Sequence, residues 1–172
     1  GRADHLVVRL NNRAESSRWY PGGGLYRPVT LIMTGRTYLD RWKTFIRTLK
    51  ADSADATVAA SVLVSGIRKG QKYNLLLVLR DHQGKVIDRM RKRVDDRGNV
   101  DARFQVRKPN LWSPETPYLY TVETGLFHNG VLIDQRRDHI GIRTISFSRD
   151  GGFRLNGVSR KFKGVCLHHD LG

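Results

Sequence analysis

The residues whose types and spacing could do chemistry lie toward the two ends of this chain. Near the C-terminal end, the apolar run Phe162-Lys163-Gly164-Val165-Cys166-Leu167 leads directly into His168-His169-Asp170. Two histidines beside an acid contain metal-ligating groups, but neighbours on an extended chain point in opposite directions, so joint ligation is disfavoured and no metal site is expected. A strand that ends in titratable residues is the arrangement by which parallel barrels gather function at strand C-terminal ends. Near the other end, residues 17–27 set Gly22, Gly23 and Gly24 among Trp19, Tyr20 and Tyr26. The aromatic rings offer flat surfaces for sugar rings or a neighbouring domain, and the glycines allow close backbone approach; a tight corner locked by aromatic packing is the plainer alternative. The glycine spacing and the missing Lys-Ser/Thr exclude a phosphate loop. The single cysteine, Cys166, forbids an intramolecular disulfide, and its apolar neighbours Val165 and Leu167 predict a buried, inert thiol.

These residues need elements to position them, and the elements read as strands throughout. At 172 residues the chain has room for one domain of ordinary size with segments to spare. Its 39% hydrophobic and 27% charged residues place it among folded rather than disordered sequences. No run approaches a bilayer span and the first residues lack a signal-peptide pattern, so no membrane partner is expected and the compartment is left open. Strand patterns fall at residues 6–10, 29–34, 42–49, 57–64, 73–80, 86–94, 100–106, 119–127 and 131–137. His82-Gln83-Gly84, His128-Asn129-Gly130 and Asp96-Arg97-Gly98-Asn99 are each expected to close a hairpin between two strands. Seven alternating strands between Trp42 and Ile140 predict an all-β chain centred on an immunoglobulin-like antiparallel β-sandwich. A small hairpin follows at residues 153–158, then the apolar strand at residues 162–167.

The net charge of +15 raises a different reading, a free-standing sandwich module whose basic surface binds anionic polysaccharide or nucleic acid. The basic residues concentrate in residues 86–94, where Arg89, Arg91, Lys92 and Arg93 suit a solvated face or an edge strand protected against aggregation. No aromatic residue interleaves with them in sequence and no zinc-finger or RNA-binding motif is present, so no nucleic-acid partner is expected.

Four ordered motifs decide the family reading. Gly-Gly-Leu-Tyr-Arg at residues 23–27, Leu111-Trp112-Ser113-Pro114-Glu115-Thr116-Pro117-Tyr118-Leu119-Tyr120, Gly141-Ile142-Arg143, and Leu155-Asn156-Gly157 before Lys163-Gly164-Val165 occur in the order typical of glycoside hydrolase family 2. Over nearly its whole length the chain resembles that family, which includes β-galactosidases, β-glucuronidases and β-mannosidases. The resemblance implies that residues 1–34 close a jelly-roll sugar-binding domain, residues 36–140 form the immunoglobulin-like sandwich, and residues 142–172 are the lead-in and first strand of a catalytic (β/α)8 barrel. It implies a carbohydrate substrate, most closely a β-galactoside, and a retaining mechanism with two glutamates on later barrel strands. The three glutamates here, Glu15, Glu115 and Glu123, follow no barrel-type strand, so this piece is expected to be an inactive scaffold.

By the same resemblance, His168 lines the sugar subsite and contacts a substrate hydroxyl. Several relatives carry an aspartate where this chain has Arg18; an arginine ligates no cation but donates hydrogen bonds to sugar hydroxyls or to a carboxylate. No cofactor is expected within this piece, while the parent barrel has room for a divalent cation. The two prolines of residues 112–117 remove backbone donors and fix φ, which makes that segment a rigid connector between elements.

Overall fold

The computed structural model describes residues 5–11, 13, 24–25 and 27–166. The chain divides into two compact units, residues 33–161 and residues 1–32 with 162–172. The larger unit carries every strand found among the described residues: β1 (Tyr38–Leu39), β2 (Phe45–Ala51), β3 (Asp55–Ser65), β4 (Tyr73–Arg80), β5 (Val86–Arg93), β6 (Asn99–Arg107), β7 (Tyr120–His128), β8 (Val131–Ile140), β9 (Ile145–Ser148), β10 (Gly152–Leu155) and β11 (Val158–Ser159). No helix occurs among the described residues.

Strict alternation builds the sandwich. In β3 the even positions Ala56, Val58, Ala60, Val62 and Val64 are buried, and in β6 Val100, Ala102, Phe104 and Val106 are buried while Asp101, Arg103 and Gln105 face water. A period of two puts each such set on one face of a pleated strand. β3 pairs with β2 on one side and with β6 and β1 as well, while β5-β4-β7-β8 form the second sheet. All pairings are antiparallel. Leu75, Leu77 and Leu79 of β4 with Val122 and Leu126 of β7 supply the second inner face, and the two faces close on Phe104, which is fully buried. This is the immunoglobulin-like sandwich the strand count predicts, with all seven strands found.

The turns obey their residues. At Asn129-Gly130 both φ angles are positive, 49° and 80°, as a type I′ hairpin between β7 and β8 requires. The turn after β5, expected from Asp96-Arg97-Gly98-Asn99 as a third hairpin, is not one, because the strands on its two sides do not pair with each other. It carries the chain from one sheet to the other: β5 pairs with β4, and β6 with β3. Gly98, at φ 88°, lies so close to β3 that a Cβ would sit 2.2 Å from the Val64 oxygen, and its own carbonyl accepts the Val64 N–H at 2.8 Å. Asp95 fixes the turn by accepting from the backbone N–H of Asn99 (2.7 Å) and Arg97 (2.8 Å), and these donors hold its carboxyl below the ordinary range.

Three expectations need correction. Residues 6–10 and 29–34 are assigned to no strand, and neither are the described residues 162–166 of the expected apolar strand. A strand exists only where a neighbour completes its ladder, and among the described residues these segments have no ladder. For the same reason Cys166 is exposed, not buried. Beyond the sandwich, the expected hairpin at residues 153–158 forms, and β9 adds a third strand in the order β11-β10-β9.

Two substitutions test the core. Phe104→Ala should lower the unfolding free energy by about 3–5 kcal/mol, since the ring fills the space between the sheets. The Thr124 hydroxyl is buried without a hydrogen-bond partner among the described residues; Thr124→Val should therefore stabilise by about 1 kcal/mol. Urea unfolding with an unchanged m-value reads both.

Candidate functional site

The described residues gather around the connector between β6 and β7. Ser113 and Thr116 close it on themselves: the Ser113 N–H donates to the Thr116 carbonyl (3.1 Å), and the Thr116 N–H to Ser113 Oγ (3.1 Å). Pro114 and Pro117 have no N–H to offer a ladder, so the connector finds its partners outside the sheets. Trp112 donates its backbone N–H to the Ile142 carbonyl at 2.8 Å, which ties the connector to the segment following β8. Gly141 permits this approach, because a Cβ there would lie 2.6 Å from the Trp112 side chain. The Arg143 guanidinium stacks over the Trp112 ring with 4.9 Å to its centroid.

Asn156 joins the small hairpin to the same point. With Gly157 it forms the turn between β10 and β11, both residues having positive φ, 51° and 78°. That conformation aims its side-chain amide at two backbone groups. Nδ2 donates to the Trp112 carbonyl (3.0 Å) and Oδ1 accepts the Thr144 N–H (3.0 Å). Its backbone N–H donates to the Thr144 carbonyl at 2.9 Å. Arg160, just after β11, grips Glu115 of the connector with two guanidinium donors, Nη1 to Oε1 and Nη2 to Oε2, the second at 2.9 Å. One hydrogen-bonded hub therefore links connector, post-β8 segment and hairpin.

The same geometry tells what the glutamates can do. The Arg160 guanidinium, with donors from the Glu115 backbone and Ser113, pulls the Glu115 carboxyl down to about 2. Glu123 is held below the carboxylate range by hydrogen bonds from Arg80, offset in part by burial, with Arg137 adding to the pull. A general acid needs a raised pKa, so neither is suited to protonate a leaving group near neutral pH. Glu15 lies outside the described residues, as do the two predicted substrate contacts Arg18 and His168. Among the described residues no group of three His, Cys, Asp or Glu side chains could hold a metal ion.

The family match covers the sandwich and the connector side of this hub, up to Arg143. Residues 37–143, from the edge of the sandwich to the arginine on Trp112, match the family described as glycosyl hydrolases family 2. The chain belongs to that family. It is 35% identical over 173 residues to a β-galactosidase of Bacteroides ovatus, covering 97% of this chain and 20% of that protein. With a β-glucuronidase of Bacteroides fragilis it shares 29% identity, covering 99% of this chain and 27% of the relative. The crystal structure of a β-glycosidase from Bacteroides vulgatus superposes with a TM-score of 0.76 at 32% identity, covering 90% of this chain and 20% of that one. The chain thus spans about a fifth to a quarter of these family 2 relatives.

The motif residues that suggested family 2 in the sequence are largely those that meet in the hub: Trp112, Gly141, Arg143 and Asn156. What sequence reading did not foresee is their mutual contact, nor the Arg160–Glu115 pair, whose members are 45 residues apart. The signal was the placement of Asn-Gly in a tight hairpin, since a side chain at positive φ there is free to reach back.

Gly141→Ala should destabilise the unit of residues 33–161 by about 1–3 kcal/mol, because the added Cβ would lie 2.6 Å from the Trp112 side chain and force it or the backbone to shift. A thermal melt checks it. Carboxyl NMR titration of Glu115 should give a midpoint near 2, rising toward the ordinary 4.5 in Arg160→Met. Because its folded value is depressed, the contribution of this pair to stability is complete above about 4.5 and fades as pH falls toward 2.

Proposed function

We propose that this chain is the bracing scaffold of a retaining β-glycosidase that releases terminal β-linked sugars, with β-galactosides as the substrate class. In this reading residues 1–34 end a jelly-roll domain, residues 36–140 are the sandwich, and residues 142–172 lead into the first strand of a catalytic barrel. Residues 162–167 become that strand where barrel neighbours supply the ladder they lack among the described residues; His168 follows it and hydrogen-bonds a substrate hydroxyl, and Arg18 contributes a second polar contact.

The observation that carries this reading is the hub. Asn156, Trp112, Gly141 and Arg160 fix the chain on both sides of the connector and hold the hairpin immediately before residues 162–170. A rigid base for a segment that ends in a binding histidine is what precise substrate positioning demands, since small misplacements cost large factors in rate. The 35% identity to a β-galactosidase favours the galactoside. Catalysis belongs to a pair of glutamates outside these residues: one protonates the glycosidic oxygen, the other attacks the anomeric carbon, and water hydrolyses the covalent intermediate. The arginine-bound states of Glu115 and Glu123 support placing both catalytic groups elsewhere.

A second reading, a β-glucuronidase, is favoured by Arg18 itself. A guanidinium can bind a uronate carboxylate bidentately, and a relative with 29% identity is a β-glucuronidase.

Paired chromogenic β-galactoside and β-glucuronide substrates, given to the full-length protein, separate the two. Turnover of the galactoside with little of the glucuronide supports the first reading; the reverse supports the second; neither would sink both. His168→Ala should lower kcat/KM by about 10- to 100-fold, the loss of one substrate hydrogen bond. The 172-residue chain alone should give no turnover above buffer.

A further inference from the structure

The outer face of the second sheet is unlike the rest of the surface. Registers fix which residues share it: Arg93 lies opposite Asn74, Arg91 opposite Leu76 and Arg89 opposite Val78. Across the sheet Leu76 faces Gly125 and Val78 faces Glu123, while Phe127 pairs with Leu132 and Glu123 with Arg137. Leu76, Val78, Phe127 and Leu132 therefore make an apolar floor to a groove of about 570 Å³, and Gly125 lets Phe127 and Leu132 lean together over its backbone, where a Cβ would lie 3.1 Å from each. Arg137 of β8 lines the groove, and beyond β4 the β5 row of Arg89, Arg91 and Arg93 lies on the same face of the sheet, with Arg91 reaching the groove's Phe127.

The charges are unequal. Five guanidinium groups, counting Arg80 of β4, meet one carboxylate on this face, and that carboxylate is already bound by Arg80 (2.8 Å) and Arg137 (2.8 Å). Among the described residues no carboxylate pairs with the side chains of Arg89, Arg91 or Arg93. Their spacing is fixed by the strand at about 7 Å between alternate residues. Arg91 also lies over the Phe127 ring, 5.8 Å from its centroid, so the one aromatic ring of the floor is joined to the basic wall.

We propose that this face is a binding surface for an anionic polysaccharide, one that carries carboxylate or sulfate groups along its length. A row of evenly spaced cations beside an aliphatic trough matches such a chain in both its features: regularly repeated negative charge and apolar C–H ring faces. Nucleic acid fits less well, because base stacking needs open aromatic platforms and the only ring of the floor is half-buried beneath Arg91. Edge protection accounts for charge on β5 and β8, the two outer strands of this sheet, but not for the groove between them. The proposal does not depend on which glycoside the enzyme cleaves.

The test uses polygalacturonate as probe, with a neutral galactan and single-stranded poly(dT) beside it, by titration calorimetry at several salt concentrations. Two triple variants separate this face from bulk charge. Arg89→Ala/Arg91→Ala/Arg93→Ala strips the basic wall, and Lys50→Ala/Arg103→Ala/Arg107→Ala removes equal charge from exposed positions of β2 and β6. Circular dichroism verifies that both stay folded. Expected are binding of polygalacturonate that weakens steeply with salt, no binding of galactan, a loss of about tenfold or more in the first variant, and a change within about twofold in the second. Equal losses in the two variants, absence of binding at about 50 mM salt, or tighter binding of poly(dT) would each overturn the proposal.

Discussion

The side chain of Asn156 ends on two backbone groups that belong to different parts of the chain, the carbonyl of Trp112 and the N–H of Thr144. Much of what lies between sandwich and C-terminal segment depends on this one amide. Both groups lie outside the strands, Thr144 just before β9, where no sheet ladder pairs them; a backbone group left without a partner away from water costs about 1–3 kcal/mol. Meeting both with one planar amide fixes distance and orientation together. The constraint propagates: Asn156 must sit at positive φ, Gly157 must follow it, and Gly141 must lack a side chain so that Trp112 can come within reach.

Beneath the hub, the sandwich provides stiffness. Its two inner faces alternate with little interruption, and the large side chains Phe104, Leu75, Leu77, Leu79 and Leu126 fill the space between them. Close packing of this kind resists displacement, which suits a domain with a mechanical task. The clustered positive charge is kept away from that core. It lies along strand faces, and at Glu115 and Glu123 the arginines hold the nearby acids ionised rather than poised for proton transfer.

Much of the fold was legible because it rests on local rules. Alternation in residues 57–64 and 100–106 announced strands, and Asn129-Gly130 announced a hairpin turn, since side-chain period and permitted φ are properties of neighbours in sequence. The errors fell where a strand depends on partners. Residues 6–10, 29–34 and 162–166 carry the composition of strands, yet composition supplies only one half of a ladder. Cys166 was misjudged for the same reason: apolar neighbours suggest burial, but burial is conferred by what packs on top.

By itself the sequence determined the all-β class, the count of seven sandwich strands, the rigidity of the Trp112–Pro117 connector and membership in glycosyl hydrolases family 2, whose motifs stand in order along the chain. Only the tertiary structure decided that β5 and β6 lie in different sheets, that Asn156 and Arg160 close on a connector some 45 residues away, and that Arg91 lies over Phe127. The division has a physical cause. Periodicity and φ preference act over a few residues, whereas register and sheet order are set by which distant faces bury each other. The arginines of β5 read in sequence as a row without aromatics, and folding alone laid that row beside an aromatic ring and an apolar trough.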